Sequence, residues 1–511
     1  MKKRGRCYPQ AEMPSIAPSP MEIELKLALD PAYAARFRRH PLLAGAKVAR
    51  QTLHSLYFDT PDFALTRRLI ALRLRRVGYH WVQTLKAAAP AVGALSSRPE
   101  WEARVMDNTP DLAVLPPEAR ALLAGIDLGG LAPVFVTDVK RATWRVVVGE
   151  TAMEIALDQG EILAGAANLA NPAVSPVSEI ELELKSGPPN GLFDAALSLL
   201  DRVPLRIDSR SKAAIGFRLA GAVKMAPAKA IWPKLDPAQG AGSAWTSLIE
   251  AALAQMVDNL PGFLEQPEEL EYLHQLRVAL RRLTSLARLL APLSQPDPAW
   301  LAPLRKHMAA LNPARDWDVF LRETLPRLEL PLGVSDKAAL LARAEAMAAD
   351  ARQAAQAALA APEFTRAVLQ LGQALLTPPA SEMSAGKWAT QVLEQRWKGV
   401  KRRGAALAGG DAMARHRLRI AVKKLRYACD AVAGLYGKRG DKSLARVAAL
   451  QENLGAINDL VVADRLMRAL AQTHPECAFS AGRVVGLLSI EARPCSNRRI
   501  ARALAAIKPF W

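Results

Sequence analysis

Residues 22–27 run Glu-Ile-Glu-Leu-Lys-Leu, and residues 179–185 run Glu-Ile-Glu-Leu-Glu-Leu-Lys. Charged and aliphatic side chains alternate with a period of two, so in a β-strand the charges share one face and the aliphatics the other. One such run would be an ordinary half-buried strand. Here the pattern recurs, with basic runs between its two copies: Arg73 and Arg75, Thr84 and Lys86, Arg141 and Arg145, each pair on one face. If these strands share a sheet, its charged wall carries both carboxylates and cations. Two carboxylates about 4 Å apart repel by about 4 kcal/mol at an effective dielectric near 20, so such crowding needs a compensating ion. Hard divalent cations prefer oxygen ligands, and Arg and Lys neutralise phosphates directly. Acid and base on one wall therefore predict a metal and a polyphosphate.

Short strand-like runs near 50–58, 70–77, 80–87, 100–106, 138–148, 152–158 and 179–185 predict an antiparallel sheet or barrel over the first two hundred residues. Helical stretches near 117–124 and 191–202 would cover its aliphatic exterior, and charged faces turned inward would enclose a hydrated cavity. Residues 222–243, with Pro227, Pro233, Pro237, Gly240 and Gly242, are expected to form a linker. Beyond it Ala, Leu and Arg dominate with helical periodicity, and an internal repeat appears. His274-Gln-Leu-Arg277-Val-Ala-Leu-Arg281-Arg282-Leu matches His416-Arg-Leu-Arg419-Ile-Ala-Val-Lys423-Lys424-Leu, and the acidic Ala314-Arg315-Asp316-Trp-Asp318 is echoed by Ile457-Asn458-Asp459. On a helix His274, Arg277 and Arg281 form one stripe opposite Leu273, Leu276, Leu280 and Leu283, and His416, Arg419, Lys423 and Arg426 form its counterpart. Each stripe covers about 10 Å, enough to meet several phosphates in a row.

The formal charge of +19, from 68 Lys and Arg against 49 Asp and Glu, predicts a polyanionic partner. Aromatics make up only 5% and do not interleave with the basic clusters, which argues against nucleic acid and for bare phosphate. Cys7, Cys429, Cys477 and Cys495 show no paired spacing, so a reducing cytoplasm is expected. No apolar run reaches the length of a membrane span. Residues 1–20, with Lys2, Lys3, Arg4 and Arg6 among prolines, are expected to be a disordered basic tail, and Met13 or Met21 would serve equally as a start.

Glu22-x-Glu24-x-Lys26 resembles the ExExK signature of the CYTH superfamily of triphosphate tunnel enzymes. Tyr57 to Pro61, Leu72 to Arg75, Gln83 to Lys86, Arg98 to Glu102, Thr137 to Arg141, Leu157-Asp158, Glu179 to Gly187 and Ser211-Lys212 follow in that family's order. The resemblance implies an α+β multidomain chain whose first part, residues 21–221, is an antiparallel eight-stranded β-barrel tunnel. It implies Mg²⁺ or Mn²⁺ held by Glu22, Glu24, Asp158, Glu181 and Glu183, with Glu179 at the rim. Lys26, Arg73, Arg75, Lys86, Arg141, Arg145 and Lys212 would then grip phosphoryl oxygens, and Glu22, Glu24 and Lys26 would act in catalysis. The general base is left open between a Lys-Tyr pair, for which Lys26 and Tyr57 are available, and a metal-bound water. Glu100, Glu102 and Arg104 are divided between this wall and a structural ion-pair role. Ser211 to Phe217 lacks the charged pair that often follows the lysine, a departure placed at the tunnel mouth.

Residues 244–511 resemble the CHAD domain, down to the final Lys508-Pro509-Phe510-Trp511. That resemblance implies an all-α domain of two repeated helical bundles that binds inorganic polyphosphate through His274, Arg277, Arg281, His416, Arg419, Lys423 and Arg426. Thr284 stands where the second copy has Arg426, so the first stripe is expected to grip less firmly. The whole arrangement resembles the CYTH-CHAD inorganic triphosphatases: metal-dependent hydrolysis of triphosphate in the cytoplasm, with association with polyphosphate granules. The contrasting expectations are a non-catalytic polyphosphate anchor, or a tunnel enzyme acting as an adenylate cyclase or thiamine triphosphatase.

Overall fold

The structure, a computed structural model, describes residues 21–87, 91–165, 172–289, 298–330, 332–407, 412–491 and 497–511. The expected basic tail, Cys7 and Cys495 lie outside the described residues. Eleven strands form one antiparallel sheet: β1 (Glu22–Leu29), β2 (Val48–Asp59), β3 (Ile70–Val77), β4 (His80–Ala87), β5 (Ala91–Val92), β6 (Leu95–Arg98), β7 (Glu100–Val105), β8 (Ala132–Val148), β9 (Thr151–Ala164), β10 (Ala173–Ser186) and β11 (Leu205–Ile207). Their order is β5-β6-β1-β10-β9-β8-β2-β3-β4-β7, with β11 also on β1.

The ends of this ladder meet through the chain itself. β6 pairs with β1 and β7 with β4, and only Pro99 separates β6 from β7. Proline has no N–H for a ladder and so suits the point where one run of chain changes partners. Counting β6 and β7 as one run, and setting aside the short β5 and β11, eight runs surround the interior. The sheet is thus curled, and Lys86 on β4 reaches Glu22 on β1 across the junction.

The period-two pattern sorts the two faces. Leu25, Leu27, Ile180 and Leu182 are fully buried on the outer face against Leu192, Phe193 and Leu199 of helix α1 (Asn190–Leu200). Lys26 and Glu181 stand opposite each other on the inner face, as do Glu24 and Glu183. Helix α2 (Lys212–Leu219), capped by Ser211, lies at one end and delivers Lys212 to the interior. The Tyr57 to Pro61 motif has a structural part: buried Asp59 accepts hydrogen bonds from the Leu65 and Thr66 backbone and the Thr66 hydroxyl, fixing the turn into the short helix Ala64–Arg67.

The remainder is helical: α3 (Ala241–Glu265), α4 (Leu270–Ala287), α5 (Leu301–Ala310), α6 (Asn312–Val319), α7 (Val334–Ala360), α8 (Pro362–Leu375), α9 (Ala385–Ala405), α10 (Ala412–Val432), α11 (Gly437–Thr473), α12 (Ala478–Glu491) and α13 (Asn497–Ala505). The repeated segments fall on α4 and α10. Residues 222–239 carry neither helix nor strand, but they are tied down: the Asn259 side chain both accepts from Ala228 N and donates to its carbonyl, and Leu235 is buried. The two halves also share a core. Phe193 of α1 packs on Gly372 of α8, where a Cβ would come within 2.7 Å of the ring, and Arg366 pairs with Asp201 at 2.7 Å. Among the described residues no helix is long and apolar enough to cross a membrane.

Candidate functional site

The curled sheet encloses a cavity of about 1860 Å³ lined by Glu22, Glu24, Lys26, Tyr57, Arg73, Arg75, Lys86, Arg98, Glu100, Arg141, Glu181, Glu183 and Lys212. Its charges fall into two groups. Around β1, Glu22 accepts from Lys86 Nζ of β4 at 2.8 Å and from Arg98 Nε of β6 at 3.1 Å, while Arg98 Nη2 donates to Glu24 at 2.6 Å. Lys86 also pairs with Glu100 at 2.8 Å. On β9 and β10, Lys212 Nζ lies 2.6 Å from Asp158, 2.5 Å from Glu179 and 2.8 Å from Glu181. Arg141 forks onto Asp158 at 2.7 and 2.6 Å and also pairs with Glu181. Lys26 stands by the second group, 3.5 Å from Glu179.

Burial and neighbours pull the carboxyls apart. Burial would raise Glu22, but Lys86, a hydrogen bond with Glu100 and Arg98 hold it down at about 2. Burial raises Glu100 to about 7, reinforced by Glu22 and opposed by Lys86. Glu24 is raised by burial and then by Glu181, Arg98 being too little to offset them. Glu181 goes the other way: burial is outweighed by Lys212 and Arg141, so it is held well below the ordinary carboxylate range. Tyr57 is buried and stacked on Phe135, and its hydroxyl is lowered because Arg73, Arg75 and Lys212 outweigh burial. Arg75 is depressed to about 10 by burial and by Arg73.

Several expected positions change. Arg145 shares parity with Arg141, yet its side chain is 86% exposed and faces Glu154 at 3.6 Å; it lies near the end of β8, beyond the cavity. Glu183 stays on the lining but pairs with Lys185 and is one-third exposed, next to the irregularity in β10 pairing after Leu184. Glu179, expected at the rim, is buried between Lys26 and Lys212, because register sets it beside Asp158. Asp158 is fully enclosed beneath Arg141 and Lys212. Among the lining residues, Arg98 and Arg210 have no role in the sequence analysis, and Glu100, Glu102 and Arg104 only a divided one. For four of these the signal was present: Arg98, Glu100, Glu102 and Arg104 keep one parity straight through Pro99.

Asp158, Glu179 and Glu181 each offer an oxygen within 4.8 Å of the others, a spacing that a cation can bridge. Lys212 already bridges it, so an ion there would have to displace the ammonium. Glu24 fits an added cation better: it is buried, close enough to Glu181 and Glu22 for both to raise it, and left short of compensating charge.

In the helical half the two stripes converge rather than facing solvent. Arg277 is 6% exposed, and its Nη1 donates to Asn312 of α6. Lys423 of α10 is pulled down to about 6, first by burial and then by Arg281, Arg419 and Arg277. Arg277 is lowered to about 9 by burial and Arg281. His274 is lowered by burial and by Arg315 of α6. The acidic echoes arrive at the same place, Asp316 acting on Arg277 and Arg419, and Asp459 on Arg419 and Lys423. His416 stays exposed. The duplication therefore yields one cationic junction and two inequivalent histidines, since α6 covers the first.

Comparison with known proteins matches both halves. The CYTH domain profile matches residues 20–217 and the CHAD domain profile residues 247–468. The chain belongs to the CYTH and CHAD domain families. The crystal structure of the CHAD domain from the plant Ricinus communis is 34% identical, covers 55% of this chain and 98% of its own, and superposes with a TM-score of 0.52. The inorganic triphosphatase of Haemophilus influenzae is 35% identical over 203 residues, 39% of this chain and 54% of that protein, so the match spans about half of the relative's length. The cavity thus lies within the CYTH domain, and the cationic junction within the CHAD domain.

Proposed function

We propose that the CYTH cavity hydrolyses inorganic triphosphate to diphosphate and phosphate with a divalent cation, Mg²⁺ or Mn²⁺, and that the CHAD junction binds inorganic polyphosphate. The observation that carries this is one enclosed wall on which buried carboxylates and buried cations alternate. A triphosphatase among the relatives adds support.

Glu22, Glu24 and Glu181, with Glu183 at the mouth, would hold the cation. When bound, such an ion polarises a phosphoryl oxygen and lowers the pKa of a bound water. Lys26, Arg73, Arg75, Lys86, Arg141 and Lys212 would receive phosphoryl oxygens and stabilise charge as it develops. In the free protein Lys26, Arg73, Lys86, Arg141 and Lys212 hold carboxylates and Arg75 holds Ser55, so substrate enters by exchanging partners inside a closed network. Asp158 and Glu179 would anchor Lys212 and Arg141 at the base of the cavity. Tyr57, lowered by surrounding cations, is a candidate to take a proton from the attacking water.

The test is phosphate release from triphosphate with Mg²⁺ or Mn²⁺, run beside ATP to cyclic AMP conversion and thiamine triphosphate hydrolysis. Triphosphate should be the fastest substrate, and a chelator should stop release. Unchanged turnover in both Glu22→Gln and Glu24→Gln would show the metal assignment to be wrong. Turnover of none of the three would leave the tunnel as a binding site alone.

A further inference from the structure

Helix α2 is gripped from two sides. Toward the sheet, Phe217 packs edge-on against Phe135 with ring centroids 5.0 Å apart, and Phe135 in turn stacks on Tyr57. Gly216 makes this approach possible, since a Cβ there would come within 2.2 Å of the Phe135 ring. The first residue of the helix is Lys212, whose ammonium joins Asp158, Glu179 and Glu181. On its other side, a single carboxylate meets both ends of α2. Arg210, just before the Ser211 cap, forks onto Asp208 with Nε at 3.0 Å and Nη2 at 2.8 Å, and its remaining nitrogen, Nη1, lies 2.6 Å from Glu265 Oε1. Arg218, in the last turn, donates from Nη1 to Glu265 Oε2 at 3.2 Å.

Glu265 belongs to the other half of the molecule, as the last residue of α3 in the CHAD domain. A carboxylate in the last turn works against the helix dipole, so Glu265 is poorly placed for the helix that carries it and well placed for two guanidiniums. The turn beneath it is held firmly. Gln356 of α7 donates to the Phe263 and Leu264 carbonyls at 3.3 and 3.2 Å, Gln266 N donates to Gly262 O at 2.8 Å, and Gly262 lies against the Tyr272 ring of α4. Arg210, Lys212 and Arg218 all line the cavity, whereas Glu265 is not part of the lining. Its side chain is 36% exposed, so either pair alone contributes little to stability. What the arrangement supplies is geometry: one fixed carboxylate joins two points on a helix of eight residues, too short to hold its own position.

We propose that Glu265 is a positioning residue for the CYTH cavity, supplied by the CHAD domain: by holding Arg210 and Arg218 it fixes both ends of α2, and with them the place where Lys212 meets substrate. The inference rests on the triphosphatase reading of that cavity. Without the carboxylate Arg210 keeps Asp208, but Arg218, whose Nε already has no hydrogen-bond partner, loses its anchor and α2 is left to the Phe135 contact. Displacements of about 1 Å in a group that orients substrate cost up to about 100-fold, and a helix still held on one face should lose about tenfold.

The test compares the full chain with Glu265→Gln and, as a control, Arg366→Gln, which removes the Arg366–Asp201 pair between the same two halves without touching α2. Glu265→Gln should raise KM for triphosphate with Mg²⁺ about tenfold, at a melting temperature near the parent's, while Arg366→Gln leaves KM unchanged. A purely structural role would lower the active fraction, and so kcat, with KM unmoved. Simple screening of the cavity would give the opposite sign, a lower KM once the carboxylate is gone. Either result, or the same rise in KM in the control, overturns the proposal. Hydrogen exchange supplies a readout that needs no turnover: amides of residues 212–219 should exchange about tenfold faster in Glu265→Gln and at the parent rate in Arg366→Gln, and equal rates in all three would overturn the clamp itself. Should Glu265→Gln fail to fold, Glu265→Asp, one methylene too short to reach both guanidiniums, carries the test with the same signs. A parent that releases no phosphate from triphosphate would sink the hydrolase reading, and the exchange rates would still judge the clamp.

Discussion

The two charged centres of this protein are built on opposite principles. In the CYTH cavity nearly every cation touches a carboxylate: Lys212 meets three, Arg141 two, and Lys86 two. In the CHAD junction Arg281, Arg419 and Arg277 press on Lys423, Asp316 and Asp459 oppose them only in part, and Lys423 and Arg277 are pulled down by this and by burial. The first is a balanced network, which on the proposed function substrate would enter by exchange. The second is short of anions and gains from any polyanion that docks. On the proposed function, a wall that positions a reacting group and a surface that collects a polymer would thus differ in how far the protein compensates its own charge.

Removing a cation should therefore have opposite effects in the two places. Lys212→Met strands three carboxylates and should cost about 3–5 kcal/mol of stability, as breaking a buried ion network does, measured by urea unfolding. An unfolding midpoint close to the parent's would mean that the carboxylates are not truly desolvated. Glu24→Gln should leave stability near its parent value, since burial already disfavours the charged form, but lower triphosphate turnover by about 100-fold. Arg281→Gln should weaken polyphosphate by about tenfold while leaving the unfolding midpoint unchanged or raised, because it relieves like-charge repulsion. A loss of stability there comparable with Lys212→Met would erase the contrast.

The smallest effect is on pH. With Lys423 near 6, its amine is largely neutral at pH 8 in the free protein and takes up a proton when a polyanion binds. Polyphosphate affinity should fall as pH rises from 6 to 8, by less than about tenfold per unit, the limit for one linked proton. Stability without polyanion runs the other way. Between about 6 and the ordinary 10.5 the unfolded chain holds a proton that the folded one has released, so this group makes folding more favourable as pH rises. Lys423→Arg should flatten both dependences.

Much of the cavity was legible as alternation. Glu22, Glu24, Lys26, Arg73, Arg75, Lys86, Arg141 and Glu181 all line it, since parity assigns a strand residue to a face wherever pairing continues, whereas Lys212, at the start of α2, came from the family resemblance alone. Parity does not say how far along a strand the enclosure extends, so Arg145 falls outside it and Glu179, expected at the rim, is buried. Nor does it say which cation answers which acid. That depends on β1 lying between β10 and β6, partners far apart in sequence.

In the helical half the sequence identified two copies of a motif, and by itself it determined that each presents a cationic stripe beside an apolar one. Only tertiary packing decided that the stripes meet, that α6 covers one histidine and leaves the other exposed, and that Arg282 of one repeat closes on Asp430 of the other. Periodicity is a local property, fixed by the geometry of a single strand or helix. Charge compensation is decided across contacts between elements, as where Arg282 of one repeat meets Asp430 of the other.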